Sequence, residues 1–128
     1  MDSIITKGIK GEQQETVSEH STARHYGSGN VDVYATPAMI ALMETTALKS
    51  IAVYLPDGLT SVGTEVNIKH LRASAVGHHL RCESRVIEVQ GRKIVFDVSV
   101  WDEELLVGHG THTRVVVDSQ KFMSQFSQ

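Results

Sequence analysis

The sequence predicts an α+β protein in which an antiparallel sheet of about five strands wraps around one long central helix. The first observation is that residues 36–55 have helical character and are apolar on nearly every side, which is typical of a helix buried in a core. The second is a series of four strand-like segments after this helix, joined by short turns, which favours an antiparallel sheet. The length of 128 residues is typical of one domain. We therefore predict a single domain over residues 1–128.

The segments before the helix carry weaker patterns. Residues 1–14 have no clear period, so we expect a loosely ordered start. Residues 15–23 are expected to form a first strand. Residues 24–32, with the sequence RHYGSGNVD, are rich in Gly, Ser and Asn and predict a loop. Because this loop directly precedes the helix, it is a candidate lid over whatever the start of the helix binds.

The helix itself has marked boundaries. Thr36 is a favourable N-cap residue, and Pro37 suits the first helical position, where a missing N–H costs nothing. Pro56 and Gly58 end the helix and turn the chain.

The strands after the helix are read from alternation. In residues 64–71 the alternation places His70 on the apolar side of a strand. Residues 80–90 and 93–101 predict a long hairpin, and residues 105–118 predict a last strand. Gly108 and Gly110 in that strand mark a bulge or a close backbone approach. Residues 119–128 have no clear pattern and are expected to be a loosely ordered end.

Composition excludes several classes of function. A formal charge of −3 and a pI near 6.1 provide no basic surface for nucleic acid or for an anionic membrane. The one cysteine, Cys82, cannot form an intrachain disulfide, and the first residues lack the apolar run of a signal peptide. We therefore expect a cytoplasmic protein that binds neither nucleic acid nor membrane. Paired histidines such as His78 and His79 point to opposite faces of a strand, so no metal site is expected.

One carboxylate, Glu44, lies in the middle of the apolar helix. An unpaired charge in a core costs several kcal/mol, or its pKa shifts until it is neutral, so Glu44 needs a partner or a function. His70 could supply the partner, because a strand packed on the helix brings an inward histidine within reach of the same buried surface. Thr36 lies about 12 Å from Glu44 along a regular helix, so these two side chains cannot bond within one helix. A twofold partner, a later helix start or a bound substrate would have to join them.

Structural explanations stand beside these functional ones. Thr36 could be only a cap, and a lone histidine on an apolar strand face is often a hydrogen-bonded core residue. The start of the helix adds a feature that is independent of side chains. The free N–H groups of Ala38 and Met39 would form a site for a developing oxyanion.

Three stretches of the sequence, VYATPAMIALMETTALKSIAVYL, SVGTEVNIKHLRAS and VGHGTHTRVVV, resemble those of the hot-dog-fold acyl-CoA thioesterases, in particular the fluoroacetyl-CoA thioesterase branch. The resemblance covers residues 15–122 in order and spacing. That family carries a Thr before the central helix, a Glu eight residues later and a His in the following strand. The matching positions, together with the family's glycine and its arginine in the last strand, are Thr36, Glu44, His70, Gly63 and Arg114.

The resemblance implies a homodimer, or a dimer of such dimers, that pairs its sheets edge to edge and binds acyl-CoA at the interface. It implies a catalytic set of Thr36, Glu44 and His70. It also implies that Gly63 and Arg114 contact the substrate, in addition to the start of the helix. Coenzyme A enters only as part of the substrate, so no cofactor is expected. Residues 24–33 are shorter than in the fluoroacetyl branch and lack the phenylalanines that cover the acyl pocket there.

The expected activity is hydrolysis of a short-chain acyl-CoA thioester. His70 would act as a base that Glu44 orients, or Glu44 would attack as a nucleophile. An alternative is a non-catalytic module that binds acyl-CoA or a small acid. A hot-dog dehydratase is a third reading, against which the Glu on the helix argues mildly.

Overall fold

The computed structural model describes residues 4–127. Along the chain, a 3-10 turn (Glu19–Ser21) follows the first of the five strands. The helices are α1 (Ala23–Tyr26), α2 (Thr36–Ala52) and α3 (Ser119–Ser124), and the strands are β1 (Lys10–Thr16), β2 (Leu59–His70), β3 (His79–Gln90), β4 (Lys93–Asp102) and β5 (Leu105–Asp118).

The five strands form one antiparallel sheet in the order β1-β3-β4-β5-β2. Helix α2 packs on one face of this sheet and contacts every strand. The strands alternate as the sequence predicts, and in β4 the side chains that face α2 are Ile94, Phe96, Val98 and Val100. The α+β architecture predicted from the sequence is therefore confirmed.

Helix α2 begins at Thr36, one residue before the first helical position predicted at Pro37, and ends at Ala52, three residues before the predicted end. One side of it is buried against the sheet through Ala38, Met39, Leu42, Met43, Thr46, Ala47 and Ile51. The other side is only partly covered by its own chain, since Ile40, Glu44 and Leu48 are half-buried and Ala41 is exposed. An apolar helix thus keeps one face open.

The hairpin predicted at Gly91 forms between β3 and β4, and Gly91 adopts the positive φ of 62° that such a turn requires. The last strand occupies the residues predicted for it, 105–118. Of the two alternatives expected for Gly108 and Gly110, a bulge or a close approach, both glycines show the close approach. A Cβ at Gly108 would lie 2.5 Å from the Met39 sulfur atom, and one at Gly110 would lie 2.1 Å from the Asn67 carbonyl oxygen.

The first strand lies earlier than the sequence predicts. β1 runs from Lys10 to Thr16, whereas the predicted strand, residues 15–23, holds only the last two residues of β1, followed by the 3-10 turn and the first residue of α1. The loosely ordered start predicted for residues 1–14 is likewise wrong where the structure describes it, because Ile5 is also buried. β1 has the sequence KGEQQET, in which polar residues occupy even the positions that face α2, so no apolar alternation marks it.

Two other boundaries differ from the prediction. β2 begins at Leu59 rather than at residue 64, and a bulge at Thr64 shifts its register with β5, so that alternation is interrupted in the middle of the strand. Residues 119–124, for which the sequence shows no clear pattern, form the short helix α3. Asp118 caps this helix by accepting a 3.0 Å hydrogen bond from the Lys121 N–H. Residues 1–3 and 128 of the two predicted loose ends lie outside the described residues. No helix within residues 4–127 is long and apolar enough to cross a membrane.

Replacing Gly110 by alanine tests the close approach of β5 to β2. The added methyl group would overlap the Asn67 backbone, which cannot move without breaking the ladder, so we expect a loss of about 3 kcal/mol in the free energy of unfolding. The measurement is urea unfolding followed by circular dichroism. Gly29→Ala is the control, since its nearest neighbour would be the Ala23 Cβ at 3.3 Å. Equal stability of the two variants would contradict the packing described.

Candidate functional site

The hydroxyl of Thr36 lies 2.8 Å from His70 Nδ1 and joins the start of α2 to the end of β2. Thr36 is the first helical residue and not the N-cap, which is Ala35, a residue without a side-chain capping bond. The predicted capping role of Thr36 is therefore wrong. Its side chain is free to bond the imidazole because the chain enters the helix one residue earlier than the capping motif requires.

The imidazole of His70 is half-buried. Burial lowers the pKa of His70 below its usual value, and the backbone of Arg72 opposes this shift. The ring edge of Tyr34 packs against the imidazole at a centroid distance of 6.4 Å. His70 Nε2 is buried and has no hydrogen-bond partner within residues 4–127. A neutral imidazole of this kind can accept a proton near pH 7.

Tyr34 was not singled out by the sequence, although it immediately precedes the helix entry. It is fully buried, and its hydroxyl donates a short hydrogen bond to Glu15 of β1. Burial, followed by this bond and by the Glu15 charge, raises the pKa of Tyr34. The ring is therefore fixed at both ends, by Glu15 at its hydroxyl and by His70 at its edge.

The helix start offers fewer free N–H groups than expected. The Met39 N–H donates to the Ala35 carbonyl at 3.0 Å, so the prediction that it is free for an oxyanion is wrong. Ala38 lies one residue earlier, in the first turn, whose N–H groups have no intrahelical acceptor. Met39 is instead a core residue, with its thioether packed against Gly108.

Glu44 lies beside a different part of the sheet. A Cβ at Gly63 would come within 2.9 Å of Glu44 Oε2 and within 3.1 Å of His112 Cε1. His70 is seven residues further along β2, about 23 Å at the rise of an extended strand. The predicted contact between Glu44 and His70 therefore does not form within one chain.

The Glu44 carboxylate faces a buried guanidinium. Arg114 donates from Nε to Ser61 Oγ at 2.8 Å, and a terminal nitrogen donates to the Ser61 carbonyl at 2.9 Å. Its other terminal nitrogen donates to His112 Nε2 at 3.1 Å. Since Nε2 accepts, Nδ1 carries the proton, which it donates to the Glu65 carbonyl at 2.9 Å. Arg114, assigned to substrate binding by the resemblance, thus has each of its three side-chain nitrogens hydrogen-bonded inside the protein.

The charges of this second cluster act on one another. Burial lowers the pKa of Arg114, and the Glu44 charge opposes this. Burial also lowers the pKa of His112, followed by an opposing contribution from the Glu65 backbone and a lowering one from Arg114. An arginine remains protonated under these conditions, so His112 is neutral and Arg114 is positive beside Glu44. His112 could have been identified from the sequence because it lies two residues before Arg114, so that both side chains lie on one face of β5.

A cavity of about 310 Å³ opens beside the Thr36–His70 pair. Its walls come from the helix entry, from the residues after β2, from Ala23, and from Ser28 of the segment predicted as a lid. That segment is closed on itself by Arg24, which donates to Asp32 at 2.9 Å and to the Asn30 carbonyl at 2.8 Å. The candidate lid therefore borders the candidate site.

Cys82 can be set aside as a nucleophile. It is fully buried, and burial raises the pKa of its thiol to about 11. A thiol of this kind is not ionised near neutral pH and is inert.

The second cluster predicts a pH dependence of stability. The unfolded chain takes up a proton on His112 near pH 6.5, whereas the folded protein resists it, so the free energy of unfolding is highest above that pH and falls as the pH is lowered. In His112→Asn, measured by thermal unfolding between pH 5 and 8, we expect a lower stability at pH 7 and a smaller decline with acid. The exposed His109→Asn variant should decline like the parent. An unchanged slope in His112→Asn would contradict this assignment.

Comparisons with known proteins agree with this architecture. A family model described as fluoroacetyl-CoA-specific thioesterase matches residues 17–120. The fluoroacetyl-CoA thioesterase of Streptantibioticus cattleyicolor is 31% identical over 118 residues, which cover 88% of this chain and 85% of that protein. A solved fluoroacetyl-CoA thioesterase structure has a TM-score of 0.90 at 29% identity and covers 97% of this chain and 96% of its own.

A Thermus thermophilus hypothetical protein, a member of the thioesterase superfamily, has a TM-score of 0.89 at 26% identity, with coverage of 98% of this chain and 93% of its own. The sheet wrapped on α2 is thus the hot-dog fold, as the resemblance implied. The chain belongs to the fluoroacetyl-CoA-specific thioesterase family.

Proposed function

We propose that this protein hydrolyses the thioester of a short acyl group with coenzyme A. The observation that carries the proposal is the 2.8 Å contact between Thr36 and His70 at the wall of a small cavity, next to the start of α2. A cavity of about 310 Å³ lies at the lower end of the range for small-molecule sites, which favours a short acyl group. The family relationship supplies the acyl-CoA thioester as the substrate class.

The residues at this cavity have roles in such a reaction. Water adds to the thioester carbonyl carbon, the carbon–sulfur bond breaks, and the departing thiolate takes up a proton. Neutral His70 accepts the proton of the attacking water and can return it to the sulfur. Thr36 orients the imidazole through Nδ1 and holds the attacking group. The Ala38 N–H at the helix start stabilises the negative charge that develops on the thioester oxygen.

Glu44 joins this machinery through a second copy of the chain. β2 is an edge strand, and residues 63–67 are exposed on both of its faces. Such a strand has unpaired N–H and C=O groups that another chain can pair with. The open face of α2, with Ile40 and Leu48 half-buried, borders the same edge and requires a cover. We therefore propose a homodimer with β2 paired to its copy.

The register of this pairing brings the two clusters together. In an antiparallel pair about a twofold axis, residues equally far from the axis face each other. An axis at Val66, in the middle of the exposed part of β2, sets His70 opposite Val62 of the partner subunit, next to that subunit's Gly63. The Glu44 carboxylate that lies against Gly63 would then reach the His70 side of the other chain. Each complete site would combine Thr36 and His70 of one chain with Glu44 of the other.

In this arrangement Arg114 lies beside the Glu44 carboxylate rather than binding substrate. The Glu44 carboxylate can stabilise the imidazolium that forms when His70 takes a proton. The same carboxylate could instead attack the thioester, and an acyl-enzyme trapped on Glu44 would identify that route. We further propose a cytoplasmic location, since Cys82 is a free thiol, as is usual in a reducing compartment.

An assay of free thiol release from a panel of acyl-CoA substrates tests the activity. The parent is expected to hydrolyse short acyl-CoA esters. The His70→Ala variant should be about 10² to 10⁴ times slower, which is the usual contribution of a general base. Thr36→Ala should lose less, because the imidazole remains. His109→Ala, an exposed histidine on the other face of the sheet, is the control. Tight binding without thiol release from any substrate would select a binding module in place of an enzyme.

Mixed dimers test whether the site is built from two chains. His70→Ala and Glu44→Gln homodimers should both be impaired, but unfolding and refolding them together produces mixed dimers in which one of the two sites is intact. Random mixing makes half of the dimers mixed, so about a quarter of the parent activity should return. If each site came from one chain, every site in the mixture would carry one substitution and no activity would return.

A further inference from the structure

The geometry points to Arg72 as a specificity residue that binds a carboxylate carried by the acyl group, so that the preferred substrates are CoA thioesters of short dicarboxylic acids. The inference rests on the proposed thioesterase activity and names the class of acyl group it would act on. Arg72 lies two residues after His70 and lines the same cavity.

Among the residues that the structure describes, Arg72 is the one with a charged side chain in the wall of this cavity. The other wall residues, apart from Thr36 and neutral His70, are small or uncharged, and they include Ala23, Ser28 and Val33. Within the described wall, Arg72 is therefore the one side chain whose charge could attract an anionic acyl group. The positive end of α2, which also borders the cavity, adds to the attraction for an anion.

Arg72 also differs from most other arginines of the chain. Arg24, Arg81 and Arg85 each form an ion pair, and Arg114 is buried with its donors engaged. Arg72 is exposed and, within residues 4–127, has neither an ion pair nor a side-chain hydrogen bond. Its five N–H donors, arranged in a planar fork that matches a carboxylate, are therefore available to a ligand.

Two kinds of anion in an acyl-CoA could bind Arg72, a carboxylate on the acyl group and the phosphates of coenzyme A, and they lie at different distances from the thioester. The Cα atoms of His70 and Arg72 are at most about 7 Å apart, since one residue separates them in the chain. A carboxylate at the end of a three- or four-carbon acyl group lies within a few bonds of the thioester held at His70. The CoA phosphates are separated from that thioester by the whole pantetheine arm. Arg72 is thus placed for the acyl carboxylate rather than for the phosphates.

The reaction itself is unchanged by this assignment. Water adds across the thioester, the hydroxyl goes to the acyl carbon and the proton goes to the thiolate, so a dicarboxylate and free coenzyme A are the products. Arg72 acts on substrate binding and position and takes no part in proton transfer. It therefore alters the ratio of rates for two substrates more than it alters the rate for a neutral one.

Paired substrates of equal carbon number test this inference: malonyl- against propionyl-CoA, and succinyl- against butyryl-CoA. The parent should favour the carboxylated member of each pair in kcat/KM. Arg72→Gln should lower kcat/KM for the carboxylated members about tenfold to a hundredfold, the range expected for a charge-assisted hydrogen bond, and leave the neutral members within about twofold. Arg72→Lys should restore part of the loss. Arg92→Gln, an exposed arginine in the β3–β4 turn that does not line the cavity, is the matched control.

Thioesters of N-acetylcysteamine, which lack the phosphates, distinguish the two anions. A preference for succinyl that persists in these substrates and disappears in Arg72→Gln supports the inference. An equal loss for neutral and carboxylated CoA esters, absent from the phosphate-free ones, would assign Arg72 to the CoA phosphates and overturn it. Hydrolysis of neutral esters by the parent without any preference would also overturn it while the proposed activity stands.

If the parent hydrolyses none of these substrates, the proposed activity fails, and binding then decides the inference. The probes are non-hydrolysable thioether analogues of succinyl- and butyryl-CoA, measured by titration calorimetry. Tighter binding of the carboxylated analogue by the parent, lost in Arg72→Gln, supports the inference, and equal binding overturns it.

Discussion

The close approach of α2 to the sheet is the constraint on which the rest of this structure depends. Three glycines on three different strands make that approach possible. A Cβ at Gly11 would lie 2.7 Å from the Ser50 side chain, one at Gly63 would lie 2.9 Å from Glu44, and one at Gly108 would lie 2.5 Å from Met39. Since these contacts are spread along α2 from its first turn to its last, the helix rests on the sheet along its whole length. The positions of the side chains on its two ends follow from that contact.

Close packing also explains why the polar groups fall into two separate clusters. The start of α2 lies over the end of β2, where Thr36 and His70 meet. Two turns later the helix lies over Gly63, and Glu44 points toward the buried Arg114. A regular helix and an extended strand advance at different rates per residue, about 1.5 Å and 3.3 Å. The eight residues from Thr36 to Glu44 span about 12 Å of helix, and the seven from Gly63 to His70 span about 23 Å of strand, so the two clusters lie apart.

The sequence predicted the elements that carry most of the apolar residues. Helix α2 is apolar on nearly every side, and strands β3 to β5 alternate between apolar and polar residues, so their positions were confirmed within a few residues. β1 was missed because an edge strand needs little apolar surface, and its inward positions hold Gly11, Gln13 and Glu15. Residues 119–124 were missed because a six-residue helix that depends on one cap has no period to detect.

For the site, the sequence predicted the candidate residues more successfully than the contacts between them. Thr36 and His70 were identified, but the bond between them was not, because Thr36 also fits the pattern of an N-cap. Met39 was assigned a free N–H that the Ala35 carbonyl already accepts. Both errors come from the same uncertainty of one residue in the helix start, which pattern alone does not resolve.

The separation of charges within one chain has a consequence for the activity. Within residues 4–127 of a single chain, burial lowers the pKa of His70, its Nε2 has no hydrogen-bond partner, and Glu44 lies beside Arg114 instead. Within these residues, the imidazolium that would form on His70 has no hydrogen-bonded carboxylate. The proposed pairing of β2 with its copy would supply that carboxylate to both sites at once. The interaction that completes the fold, by covering an exposed edge and the open face of α2, would then also complete the site, and the proposed activity would depend on assembly.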